Sequence, residues 1–186
     1  LAHILYHYSV SCFLSSFNAM SRAFILAGTN LGNREENLKF ALESLAQGGT
    51  IVRTSPCYET EPVGFSEQPW FINQAIEMET KLTPHELLSV CQGIEAACGR
   101  VRSFPNAPRT LDLDILLYGD MAIGDDKLVI PHPRLQERRF ALEPLAQIAP
   151  DLVHPVLHKS IRLLLEICPD PSRVCRLPTS DPQCCL

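Results

Sequence analysis

Two carboxylates stand two residues apart in the run Pro108-Arg109-Thr110-Leu111-Asp112-Leu113-Asp114-Ile115-Leu116-Leu117. The run reads as a buried strand, in which alternate side chains share a face. Asp112 and Asp114 then point one way, and Leu111, Leu113 and Ile115 the other. Neighbouring carboxylates repel, and each resists leaving water. A divalent cation answers both problems. Hard oxygen ligands favour Mg2+, which takes one or two carboxylates and completes its shell with substrate phosphates and water. A solvated strand edge, or carboxylates paired with Arg, fits the same residues.

Arg100, Arg102 and Arg109 precede the pair, and Arg138 and Arg139 follow it. Planar guanidinium groups suit phosphate oxygens, so Arg beside a cation site points to a polyphosphate; surface ion pairing is the plain alternative for any one of them. Gln92 and Glu95, three apart, share a helix face, which solvent alone would also explain. His132 sits between Pro131 and Pro133, a rigid presentation; a lone His is more often a satisfied polar residue than a catalyst. Residues 64–73 carry Phe65, Trp70, Phe71 and Asn73, which suit either a flat heterocycle or the core at a strand start. Gly28-Thr29-Asn30-Leu31-Gly32 lacks the Walker spacing and its Gly-Lys-Ser/Thr ending, so an ATP user here works by another route.

Positioning these groups falls to a short series of elements. Residues 23–27 read as a buried strand, and Asn33 caps a helix whose Leu38, Ala41, Leu42 and Leu45 recur at helical spacing. Strands are expected over 50–58, 71–80 and 110–118, and Thr83-Pro84-His85-Glu86 opens a second helix ending at Cys98-Gly99. The order β-α-β-β-α-β is the split pattern of a ferredoxin-like α+β sandwich with both helices on one face. Short additional elements follow to Pro155, then a helix over 160–167. The domain is expected over 20–168, with a flexible Pro- and Cys-containing tail over 169–186.

The chain has 186 residues, enough for one domain, and a formal net charge of -5, which argues against general nucleic-acid binding. Its eight cysteines include no C-x-x-C pair and no metal-ligand spacing. They read as small core hydrophobes in a reducing compartment, so a cytoplasmic protein is expected. Residues 1–19 contain no Lys or Arg and no run near the ~20 apolar residues of a membrane span, so neither a targeting segment nor a membrane anchor is expected. Met20 is expected as the natural start, with residues 1–19 a non-native or disordered extension.

Taken together, Gly28-Thr-Asn-Leu-Gly-Asn-Arg34, Tyr58-Glu-Thr-Glu-Pro-Val-Gly64, Gln68-Pro-Trp-Phe-Ile-Asn73, Ile94-Glu with Gly99-Arg-Val-Arg102, Ala107-Pro-Arg-Thr-Leu-Asp-Leu-Asp-Ile115 and Ile130-Pro-His-Pro-Arg-Leu135 with Arg138 and Phe140 make six pieces in order. On them the chain resembles the 6-hydroxymethyl-7,8-dihydropterin pyrophosphokinase family over about residues 24–153. The resemblance implies an elaborated ferredoxin-like fold and Mg2+-dependent transfer of pyrophosphate from ATP to the pterin, in folate biosynthesis. It implies two Mg2+ ions on Asp112 and Asp114, ATP against Gln92, Glu95, Arg102, Arg109, Ile115, His132 and Arg138, and Arg100 and Arg109 assisting transfer. The pterin is implied between Phe71 and Phe140, bonded to Asn73 and to the backbone near Thr60 and Val63. Mobile loops are implied near 28–33, 62–68 and 103–108, and a monomer is expected. The chain departs from the family at Ala107, where Gly is usual, and at Phe71, where some relatives have Tyr. A degenerate module that binds nucleotide or pterin without turnover is the alternative, and a metal-dependent phosphohydrolase a second; the former should have lost Asp112, Asp114 or the Arg set, and none is lost.

Overall fold

A computed structural model of the chain describes residues 20–100 and 107–178. The expectations for residues 1–19, for Arg102, for most of the 103–108 loop and for 179–186 lie outside the described residues.

Strand β1 (Ser21–Thr29) is the apolar run read from the sequence, and it is buried over nearly its whole length. Helix α1 (Arg34–Leu45) starts where Asn33 accepts a hydrogen bond from the Glu36 N–H at 3.3 Å. It buries Leu38, Ala41 and Leu45. The single strand expected over 50–58 is two: β2 (Gly49–Thr54) and β3 (Tyr58–Thr60). Pro56 lacks an N–H for a ladder, and Ser55 ties the break to β4 (Phe71–Thr80): its N–H donates to Ala75 O, and its Oγ accepts from the Ala75 N–H. Helix α2 (Pro84–Ala97) opens with a reciprocal capping box between Thr83 and Glu86. Strand β5 (Asp112–Tyr118) follows the undescribed loop.

These strands form one antiparallel sheet in the order β5-β1-β4-β3, with β2 also on β4, the arrangement of a split βαβ sandwich. Helices α1 and α2 cover one face over a core that includes Ile25, Ile76, Leu87 and Leu113. The other face is covered as well, by the helix expected over 160–167 and by a second helix that the sequence reading left among its short additional elements. After a small ribbon of β6 (Ile123–Gly124) and β7 (Val129–Ile130), helix α3 (Arg139–Ile148) packs beside α4 (Ile161–Glu166) over Phe24, Leu26, Ala75 and Leu116. Pro144 inside α3 disguises it, since proline normally argues against a helix interior.

The tail corrects a second expectation. Residues 174–176 are a strand, β8 (Val174–Arg176), paired antiparallel with β3. A three-residue β3 left one row of backbone groups unpaired, and β8 supplies their partners.

Candidate active site

The chemistry-bearing residues meet because of strand register. Gly28 lies opposite Asp112 on one side and Asn73 on the other, and Leu26 lies opposite Asp114 and Ala75. Directly opposed residues share a face. Thr60 opposes Phe71, two residues from Asn73, so it joins the same face. Leu26, Ala75 and Leu116 belong to the core under α3, so Asp112 and Asp114 extend that face beyond its apolar part. The result is a cleft open to solvent, lined by Thr60, Glu61, Val63, Gln68, Phe71 and Asn73 together with Arg109, Asp112, Asp114, Arg134, Arg138 and Phe140.

Gly28 is there for space. A Cβ on it would stand 2.6 Å from Asn73 Oδ1. Asn73 is buried and donates from Nδ2 to Thr60 Oγ1 at 2.7 Å, so the amide's orientation is held from β3. Phe71 and Phe140 both line the cleft, and each ring carries a guanidinium: Arg109 over Phe71 at 5.2 Å and Arg138 over Phe140 at 5.4 Å.

The carboxylate pair is compensated by Arg. Arg109 Nη2 lies 2.7 Å from Asp112 Oδ2, Arg100 Nη1 donates to Asp112 Oδ1, and Arg138 reaches Asp114 at 3.6 Å. Even so, burial first and then the charge of Asp112 push Asp114 up to about 6. Among the described residues no three His, Cys, Asp or Glu side chains come together as a metal cluster. Two carboxylates alone fit Mg2+, whose other ligands are water and phosphate, and do not fit a structural zinc site. Arg109 Nε is buried with no hydrogen-bond partner among the described residues.

The remaining expected residues divide. Glu95 is buried; it accepts from the Leu113 N–H at 2.8 Å and pairs with Arg100, so it fixes the strand of the carboxylates. Gln92 is exposed and lies with Glu95 and Arg100 on a shallow patch outside the cleft. The Ile115 side chain packs in the core under α1 and α2, because alternation turns it away from Asp114. His132 lines a neighbouring groove; its Nδ1 accepts from the Arg134 N–H at 3.2 Å and its Nε2 lies 3.2 Å from Arg138. Burial, then the charges of Arg138 and Arg134, hold His132 down at about 4, so it is neutral near pH 7.

Sequence reading missed Asn30. It is buried, and its Oδ1 accepts from the Arg109 N–H at 2.8 Å while its own N–H donates to Arg109 O at 3.1 Å. Its Nδ2 donates to Gln68 Oε1 at 2.9 Å and to Pro69 O at 3.0 Å. One side chain thus joins the segment before Asp112 to the loop before Phe71. Asparagine in Gly-Thr-Asn-Leu-Gly reads as a turn former, and nothing local marks it as a hub. Arg134 and Glu61 were also unremarked as cleft residues.

Residues 24–150 match the family model of 7,8-dihydro-6-hydroxymethylpterin-pyrophosphokinase. The chain is 47% identical over 136 residues to the 2-amino-4-hydroxy-6-hydroxymethyldihydropteridine pyrophosphokinase of Methylorubrum extorquens, covering 72% of this chain and 86% of that protein. It is 46% identical over 128 residues to the protein of the same name from Bacillus subtilis, covering 68% and 77%. It is 50% identical over 125 residues to a mitochondrial folate synthesis bifunctional protein of Arabidopsis thaliana, covering 67% of this chain but 23% of that one. The wild-type HPPK-DHPS of Plasmodium falciparum shares the fold at a TM-score of 0.65 and 19% identity, covering 82% of this chain and 45% of that chain. The chain belongs to the 7,8-dihydro-6-hydroxymethylpterin-pyrophosphokinase family.

Proposed function

We infer that the chain is a pyrophosphokinase of folate biosynthesis, transferring the β,γ-pyrophosphoryl group of ATP to the hydroxymethyl oxygen of 6-hydroxymethyl-7,8-dihydropterin. The observation that carries this is the meeting, in one cleft, of an aromatic and amide set of groups (Phe71, Phe140, Asn73, Thr60) with a carboxylate and guanidinium set (Asp112, Asp114, Arg109, Arg138). The first suits a flat, amide-like heterocycle and the second a polyphosphate with its cation.

In this reading Phe71 and Phe140 sandwich the pterin ring, and Asn73, held by Thr60, bonds its polar edge beside the backbone at Val63. The hydroxymethyl oxygen forms a bond to the β-phosphorus as the bond from that phosphorus to the oxygen of the α-phosphate breaks. AMP leaves with that oxygen, and the hydroxyl proton passes to solvent. Asp112 and Asp114 would hold Mg2+, two ions in this reading, whose charge offsets that of the polyphosphate. Arg109 and Arg138 then turn from the carboxylates to the transferred phosphates, with Arg134 beside them and Arg100 holding Asp112. Neutral His132, against Arg138, lies on the nucleotide side; Gln92, Glu95, Arg102 and the backbone at Ile115 complete it.

The direct test supplies purified protein with ATP, Mg2+ and the hydroxymethyl-dihydropterin and scores AMP, with and without EDTA. AMP formed in step with the pterin diphosphate, and abolished by EDTA, supports the reading. Inorganic pyrophosphate released without pterin would mean a phosphohydrolase, and tight binding with no AMP a module without turnover. A cytoplasmic monomer is part of the proposal; among the described residues no helix is long and apolar enough to cross a membrane.

A further inference from the structure

We propose that the C-terminal segment, residues 170–176, is a strap that positions both walls of the pterin cleft, with Arg173 and Asp170 as its positioning residues. On one wall, the loop that contributes Val63 and Gln68 to the cleft leaves β3 at Glu61 and returns at Trp70. Arg173 meets both ends of that loop. The Glu61 N–H donates to Arg173 O at 3.1 Å, the Arg173 N–H donates to Glu61 Oε2 at 3.2 Å, and the guanidinium lies over the Trp70 ring at 4.9 Å. Immediately after Arg173, β8 pairs with β3 so that Val174 opposes Thr60, the residue that orients Asn73.

On the other wall, the start of α3 carries Arg138 and Phe140 into the cleft. Between them, Arg139 is held by the strap: its N–H donates to Asp170 Oδ2 at 3.0 Å and its Nε to Asp170 O at 3.0 Å. Asp170 is itself fixed, since its Oδ1 accepts from the Ser172 N–H at 2.9 Å. One stretch of chain is therefore bonded to the loop beside Phe71 and to the helix start that holds Phe140. Its charge contributes little, because the Arg173–Glu61 pair is exposed and 3.9 Å apart. The backbone pairing and the cation over Trp70 do the positioning. β3 has three residues and would otherwise be held by β4 alone.

The inference rests on the reading of this cleft as the pterin site. The experiment compares the full chain with Arg173→Ala, Arg173→Lys, a deletion of residues 170–186 and a control deletion of 179–186. Dissociation constants are measured for 6-hydroxymethylpterin and for a non-hydrolysable ATP analogue with Mg2+. Trp70 is the single tryptophan, so its emission reports the strap independently of either ligand. Arg173→Ala should weaken pterin binding by about threefold, the effect of losing one exposed cation–π contact, while ATP-analogue binding holds. Its Trp70 emission should shift. Arg173→Lys should recover most of the loss, the 170–186 deletion should lose more, and the control should match the full chain. An Arg173→Ala variant that stays folded and weakens both ligands alike, or neither, overturns the strap. If the 170–186 deletion does not fold, Arg173→Ala alone decides. A full chain that binds no pterin sinks the underlying reading of the cleft, whereas one that binds it as well as Arg173→Ala does sinks only the strap.

Discussion

The carboxylates of Asp112 and Asp114 lean on Arg109, Arg100 and Arg138, so the Arg-paired reading of the sequence describes these atoms as they stand. The proposed reaction has them exchange those partners for a cation. Asp112→Ala should therefore cut turnover by at least about 10²–10³, the usual cost of removing one group that stabilises developing charge. The fold should survive, because one of two like charges is gone. Steady-state AMP formation at saturating Mg2+ checks this, and near-normal turnover would remove the metal assignment. Phe140 raises a different question, since it is half-buried against the α3 core as well as open to the cleft. Phe140→Ala should weaken pterin binding by about threefold to tenfold, the loss of one stacking face. Binding of a non-hydrolysable ATP analogue should move little. Equal losses for both ligands in a folded variant would make Phe140 a packing residue only.

Elements set how closely these residues approach, and the tightest approach is between β1 and β4. Gly28→Ala would drive a methyl into Asn73 Oδ1, and overpacking of this kind costs about 1–3 kcal/mol. The strands can relieve it only by turning Asn73 away from Thr60, so a lower melting temperature should come with weaker pterin binding. Calorimetry on the variant checks both; full affinity for pterin would show that Asn73 can reorient without loss. The same elements show what the sequence makes legible. The capping box at Thr83, the apolar stripe of α1 and the alternation through Asp112 and Asp114 are local patterns, and each is found where local physics puts it. Helix α3 was hidden by Pro144, and β8 by a polar, Pro-rich surround; both exist because an open sheet face and an open strand edge had to be covered. Asn30 escaped for a related reason: its four bonds reach segments distant in sequence. The roles proposed for Phe140 and Thr60 come from the family motifs, since composition and spacing alone do not single these residues out.

For the whole molecule, the cleft has a cost that depends on pH. Asp114 is pushed up to about 6 from 3.8, by burial and then by Asp112. Across that window the folded chain holds a proton that the unfolded chain has released, so this group's contribution is most favourable at low pH and is lost as pH rises towards 6. His132 works the other way. Burial and its Arg neighbours push it from 6.5 down to about 4, so the unfolded chain takes up the proton first. Its contribution is present above 6.5 and is lost as pH falls towards 4. The two slopes oppose each other over nearly the same range, so the wild-type curve conceals both, and single variants separate them. In EDTA, Asp114→Asn should melt at a higher temperature than wild type above pH 6, where wild type carries both charges. The difference should vanish below 3.8, where Asp114 is protonated and resembles the amide. Arg138 loses its 3.6 Å partner in that variant, but the upward shift means that burial and repulsion outweigh the pair. His132→Gln should give the mirror image, gaining on wild type as pH falls below 6.5 because no buried imidazole is left to protonate. Thermal melts of the three proteins across this range check both signs. A difference for Asp114→Asn that stays constant at every pH would trace to packing and leave the carboxylate without a charge penalty.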